Sequence, residues 1–220
     1  MDPIAYNSRM YMSDRSLQPE SRVQIAKKLV GSGKTVLDVG CFDGTIAAEI
    51  AKAGNDVHGI DASETAVKAA REKGVKALLG DIGKDFPFAD GMFDTVFAGE
   101  VVEHVFELRK MLSEVHRVLK PGGEFVVTTP NLAAFGRRIL LLLGLNPLIE
   151  IDFYKPGAAG HIRYFVKNTL DSMLKETGFV PVIWKSDVVN FNAAGTISSS
   201  MLARIFPSIG RTLIVKARRI

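Results

Sequence analysis

Residues 36–44 read VLDVGCFDG, and this stretch decides the fold class of the chain. An apolar strand runs into Asp38, and Gly40 and Gly44 follow, as in the turn that joins a strand to a helix at nucleotide sites. Phe42 stands where a GxGxxG motif has its middle glycine. The turn therefore predicts a nucleotide-like ligand. The presence of Asp38 and the replacement of the middle glycine by Phe42 raise the question of which nucleotide it binds.

Apolar strands and amphipathic helices alternate on both sides of this turn. The sequence predicts helices at 19–31, 44–53, 63–73 and 107–119. It predicts strands at 35–39, 56–61, 75–81, 93–99 and 124–130, the last preceded by a KPGG turn at 120–123. Strands that alternate with helices of this length indicate an α/β fold built from βαβ units. Their nearly continuous apolar runs indicate a parallel sheet that is covered on both faces.

The pattern changes after residue 130, where two apolar insertions are predicted, at 131–160 and 188–208. The first insertion begins with a Leu-rich helix at 131–144. The remaining predicted elements are a helix at 168–177 and strands at 179–187 and 211–217. These last two strands are expected to close the sheet as an antiparallel pair.

Composition places the chain among ordinary globular domains. Of its 220 residues, 47% are apolar, so we interpret residues 1–220 as one domain, with residues 1–33 as an N-terminal helical cap. Cys41 is the single cysteine, so no internal disulfide can form. The N-terminal residues are polar and lack an apolar signal core, which together with the cysteine count predicts a cytoplasmic protein. No run of about 18 apolar residues occurs, so no membrane-spanning helix is expected.

The net charge of +4 is unevenly distributed along the chain. Acidic residues outnumber basic ones up to residue 130, and the reverse holds after it. This asymmetry favours a cationic or neutral ligand in the first part and an anionic or lipid-like partner near the second. A solvated basic face explains the second part equally well.

Ligands of an open parallel sheet bind at the carboxyl ends of its strands, and four of the predicted ends carry an acid. These acids are Asp38, Asp61, Asp81 and Glu100. A phosphate at the first helix would meet the like charge of Asp38 and Asp43, and no GxxxxGK[ST] P-loop is present. A cationic nucleoside such as S-adenosylmethionine fits better, because it carries a sulfonium, an ammonium and two ribose hydroxyls.

The spacing of the acids agrees with a nucleoside. Asp61 follows Asp38 at close to the interval of about 20 residues at which an acid meets ribose hydroxyls in nucleotide-binding βαβ units. Asp81 is placed to accept a hydrogen bond from the adenine amino group, and Gly40 lets the backbone approach the ligand closely. As alternatives, Asp61 can cap the helix that follows it, and Asp81 can be an ordinary loop acid.

Five segments in order resemble the motifs of class I S-adenosylmethionine-dependent methyltransferases. They are VLDVGCFDG, GIDAS, GDIGKDFPFADGMFDTV, EVVEHV and VLKPGGEFVVTTPN, and the resemblance covers roughly residues 20–185. The chain is similar to the small-molecule enzymes of this class, which include quinone-pathway O-methyltransferases. The resemblance implies a Rossmann-like three-layer sandwich, with a seven-stranded, mostly parallel sheet and a reversed last strand.

The resemblance also assigns roles to residues of the cofactor site. Asp38 and the backbone from Gly40 to Cys41 would hold the methionine part of S-adenosylmethionine, whose product is S-adenosylhomocysteine. Asp61 and Ala62 would lie at the ribose, Asp81 and Ile82 at the adenine, and Gly99 and Glu100 beside the methionine and sulfonium. The family usually has glycine at the position of Phe42 and often a small residue at Asp43. Phe42 is compatible with this ligand because no diphosphate has to pass it.

Methyl transfer is a direct displacement, so the protein mainly supplies proximity, alignment and a dry site. An acceptor hydroxyl must also lose a proton, and His104 and His161 are the candidate catalytic bases. His104 can alternatively be a helix-start residue that bonds locally. Asn131, Arg163 and Tyr164 are the candidate substrate-binding residues, although Arg163 can also pair with a surface acid. No metal is expected, and Cys41 is interpreted as a packing residue.

The acceptor is the least determined part of the prediction. The two insertions carry apolar side chains in the basic third of the chain, which favours a lid over a small hydrophobic or lipid-linked acceptor that is methylated on oxygen or nitrogen. Peripheral contact with a membrane surface and a dimer interface are open alternatives, so the chain is expected to be a monomer or a homodimer.

Three other functions remain as alternatives. The chain could be a non-catalytic module that binds S-adenosylmethionine, or a methyltransferase that acts on protein or nucleic acid. A nucleic-acid partner is not expected, because the sequence has no NPPY-like motif and no Lys/Arg stripe interleaved with aromatic residues. A nicotinamide-dependent oxidoreductase is disfavoured by the acids in the turn.

Overall fold

The computed structural model describes residues 21–147, 160–192 and 196–220. Its helices are α1 (Ser21–Val30), α2 (Thr45–Ala51), α3 (Glu64–Glu72), α4 (Leu108–Val118), α5 (Phe135–Leu142), α6 (Lys167–Glu176) and α7 (Ser200–Ile205), with a 3-10 turn at Pro207–Ile209. Its strands are β1 (Thr35–Val39), β2 (Asp56–Asp61), β3 (Lys76–Leu79), β4 (Phe93–Gly99), β5 (Leu119–Pro130), β6 (Phe179–Lys185), β7 (Val189–Asn190), β8 (Ser198–Ser199) and β9 (Thr212–Arg219).

Seven strands form one sheet in the order β3-β2-β1-β4-β5-β9-β6. Strands β1 to β5 are parallel to their neighbours, whereas β9 is antiparallel to both β5 and β6. This confirms the mostly parallel sheet and the antiparallel closing pair. The strand order reverses between β1 and β4, and the carboxyl ends of strands at such a point form the usual ligand crevice of an open α/β sheet.

Helices cover both faces of the sheet and make three layers. The neighbours Val36 and Leu37 of β1 are both fully buried, yet they belong to different hydrophobic clusters, because successive side chains of a strand point to opposite faces. The cluster of Val36 contains buried residues of α1, α2 and α3, and the cluster of Leu37 contains those of α4 and α6. The nearly continuous apolar runs of the strands predicted a sheet that is buried on both faces, and the structure confirms this.

The KPGG segment was predicted as a turn before β5, but residues 119–130 form one strand. Phe93 pairs with Leu119 and Thr95 pairs with Glu124, so the segment at 120–123 bulges out of the ladder between two paired positions. Within this bulge Gly122 adopts the left-handed backbone conformation that is typical of a turn glycine, with a φ of +73°.

The helix predicted at 131–144 begins later, at Phe135. Asn131 instead extends the pairing of β5 with β9: its N–H donates to the carbonyl of Arg211 at 2.9 Å, and it forms an isolated parallel bridge with Phe165. These long-range bonds hold residue 131 in an extended conformation, which local helix propensity cannot show. Residues 148–159 of the same insertion, the start of the N-terminal cap at 1–20 and residues 193–195 lie outside the described part.

The described parts of the two insertions contact each other. The ring centroids of Phe135 and Phe191 are 5.5 Å apart in an edge-to-face arrangement, and β7 of the second insertion packs against α5. Leu142 and Met201 are 82% and 66% exposed, so much of the apolar surface of both insertions faces outward. Within the residues that the structure describes, no helix is long and apolar enough to cross a bilayer.

Gly44 is a position where the fold requires a glycine. Its φ is +74°, and a Cβ there would lie 2.8 Å from the Cα of Ala70 on α3. Gly54 has a similar φ of +79°, but a Cβ there would meet nothing within 4 Å. An alanine at Gly54 would therefore carry only the cost of a left-handed backbone conformation. An alanine at Gly44 would carry that cost and also a steric clash with α3.

We expect Gly54→Ala to lower the free energy of unfolding by about 1–2 kcal/mol, the cost of a left-handed residue with a Cβ. Gly44→Ala should lose a further 1–3 kcal/mol, approximately, because the added methyl group overpacks the α2–α3 contact. Urea unfolding of both variants measures the difference. Equal losses would show that α3 moves aside at no cost.

Candidate active site

The turn after β1 is attached to the end of β2 by its own backbone. The N–H groups of Gly40 and Cys41 both donate to the carbonyl of Ile60, at 2.8 and 3.2 Å. Gly40 has a φ of +71°, and a Cβ there would lie 2.7 Å from Cγ2 of Val101. A glycine is therefore needed both for the backbone conformation and for the close approach of the segment that follows β4.

Two buried carboxyl groups lie beneath this turn. Asp38 and Asp61 are each 3% exposed, and burial raises the pKa of both. For Asp38 the neighbouring charge of Asp61 raises the pKa further. Two adjacent buried acids favour a cationic ligand, because a positive charge nearby would offset the cost of ionising them.

The carboxylate of Asp61 organises the turn. One oxygen accepts a hydrogen bond from the N–H of Phe42 and the other from the N–H of Ser63, both at 2.9 Å. The next helix is capped by Ser63, whose hydroxyl oxygen accepts from the N–H of Ala66 at 3.3 Å. Asp61 thus holds the Gly turn and the β2–α3 connection, including Ala62, in one arrangement, while its contact with a ribose remains a prediction.

Asp81 lies on the neighbouring strand end and is more open. The carbonyl of Asp61 accepts from the N–H of Gly80 at 2.9 Å, which places the two acids on adjacent connections. The Asp81 side chain is 35% exposed and accepts from the N–H of Gly83 at 2.9 Å. Ile82 is partly buried against the core, so its backbone is held beside the acid. Asp81 can therefore still reach a ligand.

Backbone strain marks the third strand end of the site. Among the residues that the structure describes, the non-glycine residues with positive φ are Phe42 (48°) and Glu100 (58°). Phe42 directly follows the turn at Gly40 and Cys41 that was predicted to hold the methionine part, and Glu100 was predicted to lie beside it. Strained backbone of this kind concentrates at ligand sites. Glu100 is held by the hydroxyl of Thr128, which donates to its Oε1 at 3.0 Å.

Arg22 belongs to this site, although the sequence did not single it out. Its Nη1 lies 2.9 Å from Oε2 of Glu100, and the two side chains are 17% and 16% exposed. They line a cleft between α1 and the strand ends, together with Val23, Ala26, Ile46, Phe97, Gly99 and Thr128. No local pattern identifies Arg22, because its place in the site depends on how α1 packs on the sheet.

Cys41 has the packing role that was expected. It is 5% exposed, and a Cβ at Gly59 would lie 2.6 Å from its Sγ. Burial raises the pKa of the Cys41 thiol, and the charges of Asp38 and Asp61 raise it further. The side chain is therefore a neutral thiol that fills space, since nucleophilic cysteines need a lowered pKa.

The two predicted catalytic histidines are brought together from distant parts of the chain. The ring centroids of His104 and His161 are 4.8 Å apart, and Nδ1 of His104 lies 3.2 Å from the carbonyl of Gly160. The ring of Tyr164 lies 6.2 Å from that of His161, edge to face. The three rings therefore form one cluster, to which His104 belongs through the segment that follows β4.

Glu103 is the residue of this cluster that sequence reasoning missed. Its side chain is 1% exposed, and its Oε2 accepts from the hydroxyl of Thr129 at 2.9 Å. The other oxygen, Oε1, is buried, has no hydrogen-bond partner among the residues that the structure describes, and lies 3.9 Å from Nε2 of His161. The EVVEHV motif places Glu103 directly before His104, and this adjacency was the available signal.

The candidate substrate-binding residues have different surroundings. The side chain of Asn131 is fully buried and donates to the carbonyls of Ser208 and Gly210 at 2.9 and 2.8 Å, so the structure gives it a role in holding the second insertion. The backbone N–H of Arg163 donates to the carbonyl of Glu103 at 3.2 Å, and its Nη2 donates to the carbonyl of Phe106 at 2.6 Å. Arg163 therefore lies beside the histidine cluster but is partly used to hold it.

The arrangement defines a class of protein. The sheet order defines a Rossmann-like fold. The glycine turn over two buried acids and the further acids on adjacent strand ends suit a cationic nucleoside, as the sequence predicted. A family model described as a methyltransferase domain matches residues 37–127, the part of the chain that contains all these strand ends.

Known proteins with related sequences agree with this class. Ubiquinone biosynthesis O-methyltransferase of Pseudomonas paraeruginosa is 36% identical over 109 residues, which cover 46% of this chain and 46% of that protein. Demethylmenaquinone methyltransferase of Symbiobacterium thermophilum is 29% identical over 209 residues, covering 81% of this chain and 82% of that protein. The chain spans less than half the length of the first curated relatives that it matches.

A solved structure shows the same fold. It is the 1,6-didemethyltoxoflavin-N1-methyltransferase of Burkholderia thailandensis, with bound 1,6-didemethyltoxoflavin and S-adenosylhomocysteine. The TM-score is 0.66 at 17% identity, and the match covers 98% of this chain and 87% of that one. The chain therefore contains a match to a methyltransferase domain, and it is similar in sequence and in fold to S-adenosylmethionine-dependent methyltransferases, in agreement with the resemblance found in its motifs.

Mutagenesis can distinguish the structural role of Asp61 from the ligand-binding role that is predicted for Asp81. Asp61→Asn leaves one backbone N–H without an acceptor, so we expect the free energy of unfolding to fall by about 1–3 kcal/mol. Asp81→Asn keeps an oxygen for Gly83, so stability should change by less than about 0.5 kcal/mol. Both variants should bind S-adenosylhomocysteine more weakly, Asp81→Asn by about 10-fold or more.

Urea unfolding and calorimetric titration with S-adenosylhomocysteine measure the two effects. Asp85→Asn, a change of an exposed acid in the same loop as Asp81, is the matched control and should alter neither. Wild-type affinity in Asp81→Asn would remove that residue from the adenine site.

Proposed function

We propose that this chain transfers the methyl group of S-adenosylmethionine to a hydroxyl group of a small hydrophobic acceptor. The observation that carries the proposal is the short distance in sequence between two clusters. Gly99 and Glu100 line the cofactor cleft, and Glu103 and His104 follow within the same turn at the end of β4. One segment therefore joins the donor site to a cluster of polar side chains that can meet the acceptor.

The cofactor site would divide the ligand among the strand ends. Asp38 and the turn at Gly40 and Cys41 would face the cationic methionine part, and Asp81 the adenine. Arg22 lies next to Gly99 and Glu100, where its guanidinium would pair with the carboxylate of the methionine. Guanidinium groups bind carboxylates through two parallel hydrogen bonds, which suits this position.

The transfer itself needs little from the protein beyond placement. The acceptor oxygen attacks the methyl carbon as the carbon–sulfur bond breaks, and the electron pair of that bond stays on sulfur as S-adenosylhomocysteine forms. The acceptor hydroxyl gives its proton to water or to a neighbouring side chain. The chain contributes alignment of the two reactants and a site from which bulk water is excluded.

The apolar insertions support a hydrophobic acceptor. Each insertion follows the carboxyl end of a strand, β5 or β6. Their exposed apolar side chains include Leu141, Leu142, Leu143, Leu145, Ile197, Met201, Ile205 and Phe206. An apolar surface of this kind suits a hydrophobic ligand or partner. The names of two relatives, a ubiquinone biosynthesis O-methyltransferase and a demethylmenaquinone methyltransferase, point to acceptors of the same character.

In this proposal the insertions act as a lid, and the enzyme meets a lipid-linked acceptor from the cytoplasm. Arg137 and Arg138 on α5 and Arg204 on α7 add positive charge near the exposed leucines. Such a surface can also make peripheral contact with an anionic membrane, or pair with a second copy of the chain. Vesicle sedimentation and analytical ultracentrifugation distinguish these two alternatives from a lid.

The transfer is tested with S-adenosylmethionine that carries a labelled methyl group. The protein is incubated with this cofactor and a cell extract, and the lipid, small polar, protein and nucleic-acid fractions are separated. We expect label in the lipid or apolar fraction. Label in protein or nucleic acid would contradict the proposed acceptor, and absence of label with intact cofactor binding would favour a non-catalytic module.

Arg22 provides a sharper test of the cofactor site. Arg22→Met should weaken binding of S-adenosylhomocysteine by about 10-fold or more, since it removes a charge-assisted hydrogen bond. Arg22→Lys should lose less, because it keeps the charge without the paired geometry. Lys28→Met, an exposed position on the same helix, is the control and should bind as the wild type does. Tighter binding by Arg22→Met would show that the Arg22–Glu100 pair only closes the cleft.

A further inference from the structure

The connection between β3 and β4 carries the predicted adenine site. All of its residues, 80–92, are described, and they form no helix or strand. Loops of about this length without secondary structure are uncommon and often functional. We propose that Arg117 and Glu114 of α4 are positioning residues for the cofactor, because they hold this loop, which we call the adenine loop, so that Asp81 faces the adenine. This inference rests on the placement of adenine at Asp81 in the proposed function.

Glu114 is the buried acid of this arrangement. Its side chain is 5% exposed, and its Oε2 accepts from the N–H of Phe86 at 2.8 Å. Burial by itself would raise the pKa of Glu114, but hydrogen bonds from Arg117 and from the N–H of Phe86 lower it to about 2. The carboxylate is therefore ionised at neutral pH, and it is bonded both to the adenine loop and to Arg117.

Arg117 binds the same loop at three points. Its Nη2 donates to the carbonyl of Phe86 at 3.1 Å, and its Nη1 donates to the carbonyl of Phe88 at 2.9 Å and to Oδ1 of Asp90 at 2.6 Å. Nη2 also donates to Oε2 of Glu114 at 2.7 Å. A guanidinium can serve several acceptors at once because its N–H groups form a rigid planar fork. Arg117 and Glu114 thus form one clamp on the adenine loop.

The clamp fixes one end of the segment that carries Asp81. The N–H of Gly80 donates to the carbonyl of Asp61 at 2.9 Å, and the next backbone bond from the described loop to another element is at Phe86. Residues 81–85 therefore bridge two fixed points. A short bridge between fixed ends has few conformations, which keeps the carboxylate of Asp81 in place.

Removing the clamp would lengthen this bridge. The next backbone bond from the adenine loop to another element is the one from the N–H of Gly91 to the carbonyl of Arg117, at 3.0 Å, and it does not involve the side chain of Arg117. The free segment would then be 81–90, twice as long as 81–85. Doubling a flexible loop raises the entropy cost of ordering it by a factor of about 3 in an equilibrium constant. A ligand that needs the ordered loop must bear that cost when it binds.

The clamp lies on the core side of the adenine loop. Phe86 is 4% exposed and belongs to the same hydrophobic cluster as the buried residues of α4. Asp81, at the start of the loop, is more open, with 35% of its side chain exposed. Arg117 and Glu114 therefore act through the loop and not by touching the cofactor.

The first experiment measures the selectivity of the site for the base. The wild-type chain and Arg117→Met are titrated by calorimetry with S-adenosylhomocysteine and with S-inosylhomocysteine, in which an oxygen replaces the adenine amino group. The wild-type chain should prefer S-adenosylhomocysteine, because Asp81 is expected to accept from that amino group. Arg117→Met should bind S-adenosylhomocysteine about 3-fold more weakly or worse, and its preference for this ligand should fall, since S-inosylhomocysteine does not need an ordered Asp81.

Arg109→Met is the matched control. Arg109 lies on the same helix and pairs with Glu176 at 2.6 Å, so this variant loses an ion pair of α4 that does not involve the adenine loop. It should bind both ligands as the wild type does. Arg117→Lys is a milder test variant, because lysine keeps the charge but lacks the planar fork that binds two carbonyls together. Its preference should also fall, and an unchanged preference in the folded Arg117 variants overturns the proposal.

A double variant tests whether Arg117 acts through Asp81. Asp81→Asn should weaken binding of S-adenosylhomocysteine by about 10-fold or more and abolish the preference for it. Adding Arg117→Met should weaken binding little further, because both changes remove the same interaction. Losses that multiply in the double variant would show that Arg117 acts on another part of the site, which overturns the positioning role.

The wild-type titrations separate this inference from the proposed function. A wild-type chain that does not bind S-adenosylhomocysteine would overturn the proposed function. A wild-type chain that binds both ligands equally would overturn the placement of adenine at Asp81, and the positioning role with it. A preference that is present in the wild type and kept in the Arg117 variants would overturn the positioning role alone.

Discussion

The structure depends on one constraint, the attachment of the turn after β1 to the end of β2. Two backbone N–H groups, from Gly40 and Cys41, share the carbonyl of Ile60, and the buried carboxylate of Asp61 accepts from Phe42. The turn is therefore held by bonds that a ligand does not supply, so the site is largely formed before a cofactor arrives. A preformed site loses less conformational entropy when it binds.

The same constraint explains where strain is stored. Phe42 takes a left-handed backbone conformation because the turn must reach Asp61, and Glu100 takes one at the end of β4, where Thr128 and Arg22 hold its side chain. Each conformation costs about 1–2 kcal/mol for a residue with a Cβ. The buried core on both faces of the sheet outweighs this cost, and the strain lies at the strand ends where the cofactor is proposed to bind.

The acidic residues of this region lie in two groups. The acids of β1 and β2 are buried beneath the turn. Of the two acids that follow β4, Glu100 lines the cleft beside Arg22, and Glu103 lies with His104 and His161. Burial makes these acids costly to ionise, and a neighbouring cation such as a sulfonium would offset that cost. Arg22 partly balances the negative charge by pairing with Glu100.

The sequence by itself determined the strand ends and the cofactor class. Apolar periodicity located β1, β2 and β4 at their observed bounds, and the acids that follow these strands are local in sequence, so their position at one edge was predictable. The tertiary structure alone decided the start of α5, the approach of Arg22 to Glu100 and the meeting of Glu103 with His161. These depend on packing and hydrogen bonds between segments that are far apart in the chain, and such contacts leave no periodic signal in the sequence.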